Sequence, residues 1–281
     1  MEAKKPRERI FNLPGIVVAL IASFVAVHGI RDWLLSVEAD DNLLALLAFV
    51  PGRMTFLFDP HGMTDVLARL SPRDGMLALG QFFLGDGSPQ PWTVVSYAFL
   101  HGDWVHVGVN SVWLAAFGAP VARRFGTVRF LAFFLVAAIG GALAHLLAHM
   151  YDLMPVVGAS ASVSGAMGAA VRFVFNPYAP LGSAKGFGNR GGDDAYRLPA
   201  LPLKYVFRDR RVLLFVGIWF VMNFAFALLA GPLNITDATV AWEAHVGGFL
   251  TGLVLFGLFD PPFRPIQGEI PDGDFFPTER R

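Results

Sequence analysis

Gly158-Ala159-Ser160-Ala161-Ser162-Val163-Ser164-Gly165-Ala166-Met167-Gly168 sets a serine at the start of an apolar stretch and gives that stretch a face of small residues. On a helix, Ser160, Ser164 and Gly168 share one stripe and Ala161, Gly165 and Ala169 the next. Such stripes form a smooth groove that lets a second helix approach closely. A matching stripe lies near the C-terminal end, where Ala244, Gly248 and Gly252 repeat at the same spacing and His245 sits on that face, three residues before Gly248. If the two grooves meet, a serine and a histidine meet with them. Gly158, Gly165, Gly168, Gly248 and Gly252 are read first as helix-packing residues.

Composition says in which solvent this happens. Of 281 residues, 54% are hydrophobic and only 16% charged, and the mean hydropathy is +0.52. That lies outside the range of soluble domains and reads as an all-α, polytopic membrane protein. The formal net charge is zero, so nothing draws the chain to nucleic acid, and its partners are the lipid bilayer and proteins within it. The absence of cysteine removes thiol catalysis, disulfides and thiolate metal sites.

Working outward, Lys4, Lys5, Arg7 and Arg9 precede residues 10–30, which contain no Asp, Glu, Lys or Arg and are long enough to cross the hydrocarbon. The run is too long for a signal peptide and lacks a small-x-small cleavage site, so it reads as a retained first helix. Residues 35–91 break into short apolar pieces at Pro51-Gly52, Asp59-Pro60, Ser71-Pro72 and Asp86-Gly87. The expectation there is a structured loop with short interfacial helices. Further spans are expected over residues 104–121, 130–150, 156–175, 212–231 and 243–259. The domain then covers residues 10–259, with a Gly/Pro-rich basic loop over 176–209 and terminal segments 1–9 and 260–281. All of the 22 Lys and Arg except Arg31, Arg53, Arg69 and Arg73 fall on one side of these six spans. By the positive-inside rule both termini are cytoplasmic.

With that topology spans two, four and six run in the same direction. At 1.5 Å per residue, Asn110, Ser160 and His245 lie roughly 10, 7 and 9 Å inside the outer surface. Polar groups at such a depth are costly and usually functional. The chemistry they suit is acyl transfer, in which His245 takes the Ser160 proton and returns it to the leaving amine. No carboxylate is placed to make a triad, and an ionised Asp in a span costs about 2.5–3.5 kcal/mol, so a dyad suits this solvent. Asn110, His106 and the Ser160 N–H at a helix N-terminus are the natural donors to a developing oxyanion.

The combination His101-x-x-x-x-His106-x-x-x-Asn110, Gly158-Ala159-Ser160 and Ala244-His245-x-x-Gly248-x-x-x-Gly252 resembles the rhomboid intramembrane serine proteases. The likeness covers all six spans, in order and orientation. It implies a six-transmembrane-helix bundle with Ser160 as nucleophile, His245 as base, and His106 and Asn110 lining the oxyanion hole. His101 matches a position whose role stays open. It also implies single-span membrane proteins as substrates, cut near the outer face without metal, ATP or other cofactor. Span five, with Trp219 and Phe220, and residues 231–242 would form the substrate gate and cap. The chain departs from the family pattern twice. Ala161 stands where Gly usually follows the serine, and Ser164 stands where some members place an aromatic against the histidine, so His245 is held less firmly or by Ser164 itself.

Plainer readings stand beside these. Ser162 and Ser164 are weaker nucleophile candidates, Ser164 sharing the Ser160 face but a turn deeper and farther from water, and His106 with Asn110 can be glue between helices. His145 and His149, four apart, could join His101, His106 and His245 in a metal-dependent membrane hydrolase acting on lipid. They are more simply interfacial histidines, and no metal is expected. An inactive rhomboid-like binder of membrane segments is the other alternative, and a transporter is disfavoured by the lack of an inverted repeat. The lack of a seventh span or long targeting extension suggests a bacterial inner membrane.

Overall fold

The computed structural model describes residues 13–71, 73, 75–175, 200–229 and 241–262. The expected terminal segment 1–9, most of the 176–209 loop including 182–197, nearly all of the 231–242 cap and the tail beyond 262 lie outside the described residues. Among the described residues all regular structure is helical, apart from one isolated bridge between Phe49 and Val156.

The chain enters with α1 (Gly15–Leu34) and then makes four short helices, α2 (Val37–Leu47), α3 (Pro51–Phe58), α4 (Pro60–Arg69) and α5 (Met76–Leu84). Pro51 and Pro60 start their helices, where a missing N–H is harmless. Asp59 caps α4 through the Gly62 N–H and also accepts from the Tyr151 hydroxyl at 2.7 Å. Arg31 ties this region to the helical body, pairing with Asp40 at 2.6 Å and donating to the His101 carbonyl at 2.6 Å. Val37, Leu57 and Phe58 remain exposed, as expected of helices lying at an interface.

After a single turn α6 (Thr93–Ser96), α7 (Trp104–Trp113) begins at Asp103, whose carboxylate accepts the His106 N–H at 2.7 Å. Its ladder widens into a π segment over Leu114–Gly118 and continues as α8 (Ala119–Phe125). Pro120 has no N–H for the carbonyl one turn earlier, so the change of winding just before it follows. The long α9 (Thr127–Ala148), the shorter α10 (Ser160–Ala170), the turn α11 (Leu203–Val206), α12 (Arg210–Leu229) and α13 (Trp242–Phe259) complete the order. Among the described residues, four helices are long and apolar enough to cross a membrane: α1, the continuous Trp104–Phe125, α9 and α13.

α10 differs from the expected span over 156–175. Val156 exchanges both backbone bonds with Phe49, and the Gly158 N–H bonds the Tyr97 carbonyl. The chain is therefore tied up outside a helix as far as Gly158, and the helix starts at Ser160. Every residue from Ala161 to Ala170 is buried, because α9 and α13 close on it from two sides. A methyl added to Gly252 would stand 2.0 Å from the Gly165 carbonyl oxygen, so α10 and α13 touch backbone to backbone. At the opposite end of the bundle, Arg124 pairs with Asp260 through two bonds of 2.6 and 2.8 Å and stacks between Phe173 and Phe256.

Candidate active site

Because α10 begins at Ser160, the nucleophile candidate sits on the first helical residue, where N–H groups have no carbonyl one turn earlier. The contact between α10 and α13 brings His245 Nε2 to 2.8 Å from Ser160 Oγ. The groove meeting expected from the small residues thus puts the two side chains in hydrogen-bond contact.

The other ring nitrogen is held from the expected span five, by a residue the sequence reading did not single out. His245 Nδ1 lies 2.6 Å from Asn223 Oδ1 on α12, and Asn223 Nδ2 donates to the Trp219 carbonyl at 2.8 Å. The Trp219 bond fixes which way the amide faces, so Asn223 offers an acceptor to His245. Nδ1 then carries the proton, and the Nε2 lone pair points at the Ser160 hydroxyl. Trp219 itself stacks on Phe249 with ring centres 4.6 Å apart, which seats α12 against α13. Ser164 is buried, and Asn223, not Ser164, holds His245. A lone asparagine inside an uncharged apolar run was the signal available in the sequence.

His106 and Asn110 lie on α7, and the Asn110 amide donates to the His106 carbonyl at 3.1 Å. Gly158 lies between the His106 ring and the serine. A methyl there would be 2.7 Å from the ring and 3.6 Å from Ser160 Oγ, and φ is +122°. Only glycine meets both demands. A long contact of 3.5 Å from the Gly102 N–H to His106 Nδ1 favours the tautomer with its proton on Nε2, beside Gly158.

His101 is fully buried, packed against Phe24 and edge-on to His106, with neither ring nitrogen hydrogen-bonded. Burial, with His106, His28 and Arg31 nearby, lowers its pKa to about 3. It is a neutral wedge behind His106. Ser162 donates to the Phe134 carbonyl at 2.7 Å and so binds α10 to α9. The Ala161 methyl faces Gly141, where an added Cβ would come within 2.4 Å of it. The missing side chain at Gly141 makes room for the alanine that follows the serine.

His145 and His149 are not part of this cluster. They lie at the end of α9 and meet Glu243 in the first turn of α13.

The rhomboid domain model matches residues 88–260, a stretch that contains the Ser160–His245 pair, Asn223, His106 and Asn110. RHOMBOID-like protein 5 of Arabidopsis thaliana is 28% identical over 161 residues, covering 56% of this chain and 48% of that protein. Rhomboid protein 1, mitochondrial, of Saccharomyces cerevisiae is 26% identical over 172 residues, 59% of this chain and 41% of its own. The rhomboid protease GlpG of Serratia proteamaculans is 26% identical over 166 residues, 59% of this chain and 47% of its own. The chain thus spans about half the length of the curated relatives it matches. With more than half its length matched by the domain model and its apolar helices arranged around a serine and a histidine, this chain belongs to the rhomboid family.

Proposed function

We propose that the protein is an intramembrane serine endopeptidase that cuts transmembrane segments of membrane proteins with a Ser160–His245 dyad. The observation that carries this reading is the 2.8 Å contact between His245 Nε2 and Ser160 Oγ, with Nδ1 already bonded to Asn223. Family membership and the likeness to a rhomboid protease support it.

In the reaction Ser160 Oγ attacks the scissile carbonyl carbon as its proton passes to His245 Nε2. The imidazolium that forms keeps its Nδ1–H on Asn223. The oxyanion is taken by the His106 Nε2–H, the Asn110 amide and the N–H groups at the start of α10, all fixed before the reaction. Collapse of the tetrahedral species breaks the C–N bond, and Nε2 returns its proton to the leaving amine. Water, deprotonated by the same nitrogen, then attacks the ester carbonyl and releases Ser160.

Six spans in all complete the proposed bundle. α10 with its flanking turns and α12 join the four long apolar helices, and the positive-inside rule puts both termini in the cytoplasm and the catalytic pair near the outer face. A bacterial inner membrane is the proposed setting, and single-span proteins are the proposed substrates. The test is cleavage of a single-span reporter by protein in liposomes. Ser160→Ala and His245→Ala should each abolish a cleavage that continues in chelator. Binding of the reporter without cutting by wild type would favour the inactive-binder reading instead, and cleavage stopped by chelator but not by Ser160→Ala would favour a metal hydrolase.

A further inference from the structure

The other histidine pair has a chemistry of its own. His145 in the last turn of α9 and His149 capping it are four residues apart, and their rings lie 4.7 Å apart. Glu243 reaches between them from α13, with Oε1 2.9 Å from His149 Nε2 and Oε2 3.6 Å from His145 Nδ1. One ligand atom from each of the three lies within 4.8 Å of the other two. Ligands on a tetrahedral zinc, at bonds of about 2.0–2.2 Å, stand about 3.3–3.6 Å apart, so small rotations of these side chains close the set. A second observation points the same way. His145 is 5% exposed, and its Nδ1 is buried without a hydrogen-bond partner while facing the carboxylate. A buried ring nitrogen left unsatisfied is costly, and a cation replacing any proton on it would satisfy it. His149, by contrast, is 42% exposed, which leaves an entry path and room for a water as fourth ligand.

We propose that His145, His149 and Glu243 bind one divalent transition-metal cation, zinc foremost, which clamps the start of α13 to the end of α9. Two imidazoles and a carboxylate are a donor set that suits zinc. The site is not part of the serine chemistry. Glu243 precedes His245 by two residues, so the two side chains leave the helix on different faces: Glu243 toward α9, His245 toward Ser160 on α10 and Asn223 on α12. The cation would fasten the turn from which His245 projects without touching the reacting atoms.

The test uses full-length, tag-free protein in detergent, stripped with chelator and dialysed. Cobalt(II) is titrated while the visible d–d absorption is read, zinc then displaces it, and thermal unfolding is followed with and without zinc. Wild type and Ser160→Ala should both saturate at one equivalent with the intense bands of a four-coordinate site, and zinc should raise their unfolding temperature. His149→Gln, a change at the exposed ligand, and Glu243→Gln should weaken cobalt binding at least ten-fold and lose the zinc-dependent rise. Equal binding by wild type and the two variants, or no binding by wild type, would overturn the site. Because Ser160→Ala is expected to bind metal normally, loss of the protease reading would leave this result untouched.

Discussion

Replacing Asn223 by alanine removes the acceptor that sits 2.6 Å from His245 Nδ1 while leaving Ser160 and His245 in place. In the resting enzyme that bond joins two neutral groups and contributes about 1 kcal/mol, whereas a bond to a charged imidazolium contributes about 1.5–3 kcal/mol. The difference, about 0.5–2 kcal/mol, is gained only as His245 takes the serine proton. Its loss should lower kcat about two- to thirty-fold. Substrate does not touch Asn223 in this account, so KM should change little. The assay is reporter cleavage in liposomes across substrate concentrations, with wild type, Asn223→Ala and Asn223→Asp compared. Asp restores an acceptor at the same position and should recover most of the rate, which a purely structural role would not require. A kcat for Asn223→Ala within two-fold of wild type, or a loss confined to KM, would refute the claim that Asn223 positions the base.

Three other perturbations follow from the packing. Gly158→Ala drives a methyl to 2.7 Å from the His106 ring at a backbone φ of +122°; it should cost about 1–3 kcal/mol of stability and reduce kcat at least ten-fold, read by thermal unfolding and reporter cleavage. Gly252→Ala presses a Cβ onto the Gly165 carbonyl at 2.0 Å and should destabilise by about 1–3 kcal/mol or more, with cleavage per folded molecule falling as α13 is pushed off α10. His101, held neutral with a pKa near 3, protonates in the unfolded chain near pH 6.5 but not in the folded one, so its share of stability is present above pH 6.5 and is lost as pH falls toward 3. At pH 5 that share is smaller by about 2 kcal/mol, and an acid-unfolding curve for His101→Phe should be correspondingly flatter over that range.

The features legible in the sequence were those written as spacing along one helix. The stripes at Ser160, Ser164, Gly168 and at Ala244, Gly248, Gly252 announced two surfaces smooth enough for close contact, and the serine and histidine carried on them followed. The uncharged runs likewise marked α1, the α7–α8 helix, α9 and α13 within a few residues. What remained hidden depends on contacts between elements. Asn223 becomes the partner of His245 only because Trp219 stacks on Phe249 and fixes the rotation of α12. Glu243 meets His145 and His149 only because α13 packs beside the end of α9. The start of α10 at Ser160, rather than at residue 156, reflects the pairing of Val156 with Phe49 from a distant loop, which no local pattern encodes. Ala161, a departure from the family pattern, is accommodated by Gly141 on a neighbouring helix, a compensation invisible in either stretch alone.

The central claim is that Ser160 is an activated nucleophile made so by His245. Treating the membrane-embedded protein with a fluorophosphonate and locating the adduct by mass spectrometry tests it most directly. One phosphonyl group, on Ser160, is expected in wild type and none in His245→Ala. An adduct on Ser162 or Ser164, undiminished labelling in His245→Ala, or no adduct on a wild-type protein that cleaves the reporter would contradict it.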